Sequence, residues 1–167
     1  MYKRQGLFRT GKGEFEQIDL TLLVQDVMDI LKIPAQEKGV RLRSQLQPHL
    51  MVLGDAVQLQ QVLLNLLQNA LHATAQVTQR PTWIHVEGKQ EDGMVVIRVV
   101  DNGVGIAQDI QGSVFSLFKT TKADGMGIGL WLSRSIVLGH EGELVFDSLP
   151  DQQTVFTLRL PVLAMEA

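Results

Sequence analysis

Cysteine is missing from all 167 residues, which excludes disulfide stapling, thiolate metal sites and a thiol nucleophile together. Its absence suits a reducing cytoplasm. Long apolar runs are missing too. Nothing reaches the roughly 18 residues of a membrane-crossing helix, and Met1 to Gln5 carry no signal-peptide core or cleavage site. The expectation is a soluble, cytoplasmic domain without direct membrane contact, whether or not a longer parent protein is anchored in a membrane. A basic excess is also absent: the formal charge is −3, so nucleic acid is not an expected partner. There is no internal repeat and no low-complexity tract. What remains is ordinary globular composition, 45% apolar and 20% charged, in a chain long enough for one core.

Residues 1–13 are basic and glycine-containing, and read as a linker or the frayed end of a preceding element; regular patterning occupies residues 14–163. Phe15 and Ile18 suggest a short strand, and Asp19 is suited to cap a helix from about Leu20 to Glu37. Leu23, Val27, Ile30 and Leu31 fall on one face of it, Pro34 predicts a kink, and Gly39 an end. Val40 to Leu46 alternates as a half-buried strand, and Met51 to Leu53 is a second short one. Asp55 caps a long helix to about Val77. Strands follow at Trp83–Lys89 and Met94–Val100, joined by a turn at Glu91–Gly93. After a glycine-rich loop, Asp101 to Gly125, come a helix from about Gly127 to Gly139 and strands at Glu143–Asp147 and Thr154–Leu160. The order predicts an α/β two-layer sandwich, a mixed sheet covered on one face by three helices.

The helix from Asp55 carries an apolar stripe, Leu59, Val62, Leu63, Leu66, Ala70 and Leu71, at core-facing spacing. Its other side reads Gln61, Asn65, Gln68, Asn69 and His72, and from Ala56 to Gln79 no Lys, Arg, Asp or Glu occurs. A solvated helix face normally uses those charged residues. Asn65 and Asn69 stand one turn apart on one side, with neutral amide oxygens suited to Mg²⁺ among phosphates. The same amides would equally serve a closed hydrogen-bond network.

Two glycine turns follow. The strand ending at Val100 runs into Asp101-Asn-Gly-Val-Gly-Ile106, where a carboxylate is placed to accept from an exocyclic amine and glycines let backbone approach a base. By itself this is also an Asp-capped Asn-Gly turn. Gly125-Met-Gly-Ile-Gly-Leu130 opens a helix, where exposed N–H groups and the dipole favour phosphate. It lacks the Lys-Ser/Thr of a Walker loop and does not follow a strand as a dinucleotide fingerprint does. Between them, Phe115 and Phe118 are placed to pin a loop, and Lys119, Thr120, Thr121 and Lys122 supply cationic and hydroxyl donors.

In this order the segments resemble the catalytic ATP-binding domain of sensor histidine kinases, within the gyrase, heat-shock chaperone and mismatch-repair ATPase group of Bergerat fold. Gln58 to Ala70 looks like the N box, Asp101 to Gly105 the first glycine box, Phe115 to Lys122 the F box and Gly125 to Leu130 the second glycine box. The Thr-Thr-Lys and Gly-Met-Gly-Ile-Gly-Leu run looks most like the nitrogen-regulation, oxygen-sensing and dicarboxylate-sensing kinases. The resemblance implies ATP and Mg²⁺ as cofactors, with Asn69 the principal metal ligand and Asn65 supporting it. It implies Asp101, Gly103 and Gly105 at the base, and Lys122 with the backbone of Gly125, Gly127 and Gly129 at the phosphates. It implies Ile106, Thr120, Thr121, Met126, Ile128 and Leu130 as further ATP-binding residues, and Asn65, Asn69 and Lys122 as the catalytic set. Hydrolysing relatives carry Glu where Asn65 stands; an amide takes no proton, so transfer to an acceptor is favoured over hydrolysis.

The F box departs from the usual Phe-Glu-Pro-Phe, reading Phe-Ser-Leu-Phe. His72 is expected on the surface, and His140, in His-Glu-Gly, at a structural helix end. None of His49, His72, His85 or His140 has the context of a phosphoacceptor, and Leu7-Phe8-Arg9 looks like the tail of a dimerisation hairpin. The implied partners are therefore a dimerisation domain bearing the acceptor histidine and a response-regulator receiver domain. Alternatives on the same fold are an ATPase, an anti-sigma-type serine kinase, or a nucleotide-binding module without transfer activity.

Overall fold

The computed structural model describes residues 14–116 and 126–164. The order is β1 (Glu16–Asp19), α1 (Leu20–Glu37), β2 (Val40–Leu46), β3 (Met51–Gly54), α2 (Ala56–Ala75), β4 (Thr82–Glu91), β5 (Met94–Asp101), α3 (Met126–Gly139), β6 (Glu143–Leu149) and β7 (Gln153–Pro161). The loop expected to run unbroken from Asp101 to Gly125 contains a short 3-10 helix, Gln108–Ser113.

Five strands form one mixed sheet in the order β2-β4-β5-β7-β6, while β1 and β3 pair in a separate antiparallel ribbon. β2 and β4 are parallel, with Val40 opposite Thr82, and every other pair in the large sheet is antiparallel. A parallel neighbour needs a crossover, and β3 with α2 supplies it. Alternation decides which face the helices cover. Ile84 and Val86 of β4, Val95, Ile97 and Val99 of β5, and Phe156, Leu158 and Leu160 of β7 point inward and are buried. On the opposite face Glu87 pairs with Arg98 at 2.7 Å and Glu143 with Arg159 at 3.8 Å. This is the expected two-layer α/β sandwich.

In α1 the buried face is Leu20, Val24, Val27, Met28, Leu31 and Ala35. Ile30, read as part of that face, is 52% exposed, and Leu23 only half-buried. One residue is a 100° step around a helix, so a stripe through Val27 and Leu31 turns Ile30 away. The helix runs on through Pro34 to Glu37.

α2 is anchored at its start by two independent contacts. Asp55 Oδ1 accepts from the N–H groups of Val57 and Gln58 at 3.0 and 3.1 Å, satisfying two of the unpaired donors of the first turn. The Asp55 N–H donates in turn to His140 Nε2 at 3.0 Å. His140 Nδ1 lies 2.8 Å from the Ile136 carbonyl, which only accepts, so Nδ1 carries the proton and Nε2 the lone pair. Phe15 stacks on the imidazole at 4.5 Å, and a Cβ on Gly54 would come within 2.7 Å of it. The structural role read for His140 is thus a clasp between the end of α3 and the start of α2.

His140→Ala should destabilise the domain by about 1–3 kcal/mol, because the buried Asp55 N–H is left without an acceptor. Urea unfolding measures this, and an unchanged midpoint would remove the clasp from the argument.

Candidate functional site

The inward stripe of α2 is Leu59, Val62, Leu63, Leu66, Leu67, Ala70, Leu71 and Thr74. The amide side divides. Gln61 and Gln68 are exposed, whereas Asn65, Asn69 and His72 are half-buried. His72, expected on the surface, is thus neither fully exposed nor buried. Asn65 Nδ2 donates to the Gly129 carbonyl at 3.3 Å and to Ser133 Oγ at 3.1 Å. Since the carbonyl only accepts, this fixes the amide orientation and leaves Oδ1 as the acceptor end. Asn69 Nδ2 is buried with no hydrogen-bond partner among the described residues. A buried, unpaired amide costs about 1–3 kcal/mol, a common signature of a place prepared for a ligand.

The turn after β5 docks on the other end of the same helix face. The Val104 N–H donates to the Ala73 carbonyl at 3.2 Å. A Cβ on Gly103 would stand 2.5 Å from the Ala73 carbonyl carbon, so only glycine permits this approach. Gly105 has φ +77° and would bring a Cβ within 2.8 Å of Pro150 Cα. Asp101 is buried at the end of β5, between Ile84 and Thr154 in register, and Oδ1 accepts from the Gly103 N–H at 2.8 Å. Burial pushes its carboxyl up from 3.8 to about 6, against the opposing pull of that N–H.

α3 begins at Met126, so the backbone of Met126, Gly127, Ile128 and Gly129 forms its first turn. The N–H groups of Met126, Gly127 and Ile128 have no partner within the helix and lie at the positive end of its dipole. Gly129 faces Asn65, whose Cγ would lie 3.6 Å from an added Cβ, and Leu130 is buried in the core. From Asn65 to Ala73 is about 12 Å along α2 at 1.5 Å per residue. The helix thus holds a glycine turn at each end of this span, with Asn69 midway. Phe115 packs edge-on against Phe146 and Phe156, with the Arg134 guanidinium 5.2 Å over its ring. Residues Phe118, Lys119, Thr120, Thr121, Lys122 and Gly125 lie outside the described residues, as does Leu7-Phe8-Arg9.

Sequence reasoning missed four residues that shape the site. Ile106 donates from its N–H to Ser148 Oγ at 2.9 Å, and Ser148 Oγ lies 2.7 Å from Thr154 Oγ1. Gln111 Nε2 donates to the carbonyls of Ile106 and Ser148 at 2.9 and 3.2 Å. Arg80 reaches the turn from the α2–β4 connection. A signal existed for Ser148 and Thr154, polar residues at inward positions of otherwise apolar strands. Arg80 and Gln111 sit in irregular segments and carried none.

The family model described as "Histidine kinase-, DNA gyrase B-, and HSP90-like ATPase" matches residues 54–164. The chain belongs to this ATPase family. The sensor protein FixL of Bradyrhizobium diazoefficiens is 38% identical over 152 residues, covering 90% of this chain and 30% of FixL. The catalytic domain of the histidine kinase ThkA superposes with a TM-score of 0.79 at 26% identity, covering 89% of this chain and 96% of that one. Full-length ShkA in complex with AMPPNP gives a TM-score of 0.78 at 25% identity, covering 92% of this chain and 32% of that one. Within the family the chain is the ATP-binding catalytic domain of sensor histidine kinases. It spans less than a third of FixL's length. Among the described residues no helix is long and apolar enough to cross a membrane.

A carboxyl raised by burial binds its proton more tightly folded than unfolded, so between about 3.8 and 6 stability falls as pH rises. Asp101→Asn should therefore stabilise the ligand-free domain by about 1–3 kcal/mol at pH 8, an advantage that disappears as pH falls below about 4. Urea unfolding across this range tests it; equal stability at pH 8 would refute the buried-charge account.

Proposed function

We propose that this domain binds ATP with Mg²⁺ and transfers the γ-phosphoryl group to a histidine on a dimerisation domain outside this chain, for relay to an aspartate of a response-regulator receiver domain. The observation that carries the proposal is the buried Asn69 Nδ2, without a hydrogen-bond partner among the described residues and held on α2 between two glycine turns. An amide with unpaired donors suits a ligand rich in acceptor oxygens, and its carbonyl oxygen is a hard donor suited to Mg²⁺. Asn69 Oδ1 then serves as principal metal ligand and Asn65 Oδ1, oriented by Gly129 and Ser133, as its support. When bound there, Mg²⁺ would supply charge neutralisation at the phosphate oxygens.

At the other end Asp101 accepts from the exocyclic amine of adenine, Gly103 and Gly105 bring the floor close, and Ile106 lines it. The first-turn N–H groups of α3, with Thr120, Thr121, Lys122 and the backbone at Gly125, hold the phosphates. Catalysis is in-line transfer governed by positioning and electrostatics. Asn65 stands where a general base would activate water, and an amide cannot. That full-length ShkA, which contains a similar domain, is in complex with AMPPNP supports the nucleotide reading. The domain itself works in the cytoplasm, attached to its acceptor domain in the parent protein.

Two outcomes are expected. Calorimetry should show magnesium-dependent binding of adenine nucleotides that Asn69→Ala weakens at least tenfold, about 1.4 kcal/mol or more; magnesium-independent binding would sink the ligand assignment. Mixed with a separately produced acceptor hairpin and γ-labelled ATP, the domain should yield an acid-labile, base-stable phosphoprotein. Release of free phosphate without labelling would favour the ATPase alternative.

A further inference from the structure

We infer that Arg80 is a positioning residue of the base-binding turn and sets its preference for adenine, an inference that rests on the ATP-site reading above. Arg80 lies in the connection between α2 and β4, outside every motif of the sequence. Its guanidinium donates through Nη1 to the Asn102 carbonyl, and through Nη2 to the carbonyls of Gly103 at 3.2 Å and Asp151 at 3.5 Å. One planar cation thus spans two loops, the turn after β5 and the turn joining β6 to β7.

The polar backbone of the turn can be followed group by group. The Asn102 N–H bonds the Trp83 carbonyl at 3.4 Å, and the Val104 N–H the Ala73 carbonyl at 3.2 Å. The Gly103 N–H bonds Asp101, and the Val104 carbonyl accepts from Asp151 N–H at 2.8 Å. The Asn102 side chain joins the same brace, accepting from Trp83 N–H at 2.7 Å and donating to the Pro81 carbonyl at 3.1 Å. For the carbonyls of Asn102 and Gly103, Arg80 is the donor. With those carbonyls turned outward onto the guanidinium, the peptide between Asn102 and Gly103 presents its N–H to Asp101. That N–H fixes the rotamer of the carboxylate that reads the base. Without Arg80 the two peptides are released to rotate, and the carboxylate loses its fixed direction. Lysine offers three donors on one compact ammonium in place of a planar fork, and holds the carbonyls of both loops less firmly.

The test uses the chain itself, with calorimetric titration of ATP, GTP and inorganic tripolyphosphate in magnesium. Expected for Arg80→Ala is a loss of ATP affinity of about tenfold with much of the ATP-over-GTP ratio erased, while tripolyphosphate, which has no base, binds as in the native chain. Arg80→Lys should recover only part of the ratio. If the native chain itself fails to bind adenine nucleotides, the ATP-site reading falls and this inference with it. If the native chain binds and discriminates and Arg80→Ala does the same, this inference alone is overturned. Equal losses for ATP and tripolyphosphate would overturn it too, since that is general loosening. Should Arg80→Ala not fold, the ATP-over-GTP ratio of Arg80→Lys decides: a native ratio overturns the inference and a reduced ratio supports it.

Discussion

The site depends on the close approach of two glycine turns to a single helix. α2 is buried along its apolar stripe, and its other side is the reference surface on which both turns are mounted. At one end Gly103 packs directly on the main chain at Ala73; at the other Asn65 bonds the carbonyl of Gly129. A side chain at Gly103 would push the first turn off the helix, and the relative placement of the two turns would be lost. The separation of the two turns is thus set by a rigid rise per residue rather than by flexible loops.

The absence of charge on α2 has a physical explanation in this arrangement. A lysine at Asn65 would be partly desolvated against α3 and would need a partner there. Amides avoid this: Asn65 uses its N–H groups on the neighbouring helix, and Asn69 Nδ2 has no partner among the described residues. The helix is therefore held in place and chemically equipped by the same residue type. The His140 clasp adds a second fixed point at its beginning, so α2 is constrained at the start by α3 and near its end by the turn after β5.

Element order and type were legible because hydrophobic periodicity is strong in β4, β5, β7 and α2, and because Asp19 and Asp55 cap the helices they precede. The misplacement of Ile30 shows where periodicity is weak: α1 carries more apolar residues than one face holds, and only packing tells which are turned out. The separate β1–β3 ribbon was illegible, since short strands carry no information on their partners. At the site, motif residues were legible and their supports were not. Asp101 and the glycines stand out by type and spacing. Arg80 and Gln111 act through hydrogen bonds to main-chain carbonyls, which any residue supplies, so nothing in the local pattern marks them.

The contact between Gly103 and Ala73 joins two positions remote in the chain. A Cβ at 103 would fall 2.8 Å from the methyl of Ala73 as well as onto its carbonyl. Between them the two sites have room for one methyl group, and it is already allotted to the helix. Substitutions at these positions are therefore not independent: shrinking residue 73 to glycine removes the methyl clash but leaves the main-chain one. No change at residue 73 therefore makes room for a side chain at 103, and the constraint falls on the glycine alone for as long as the turn rests on the helix.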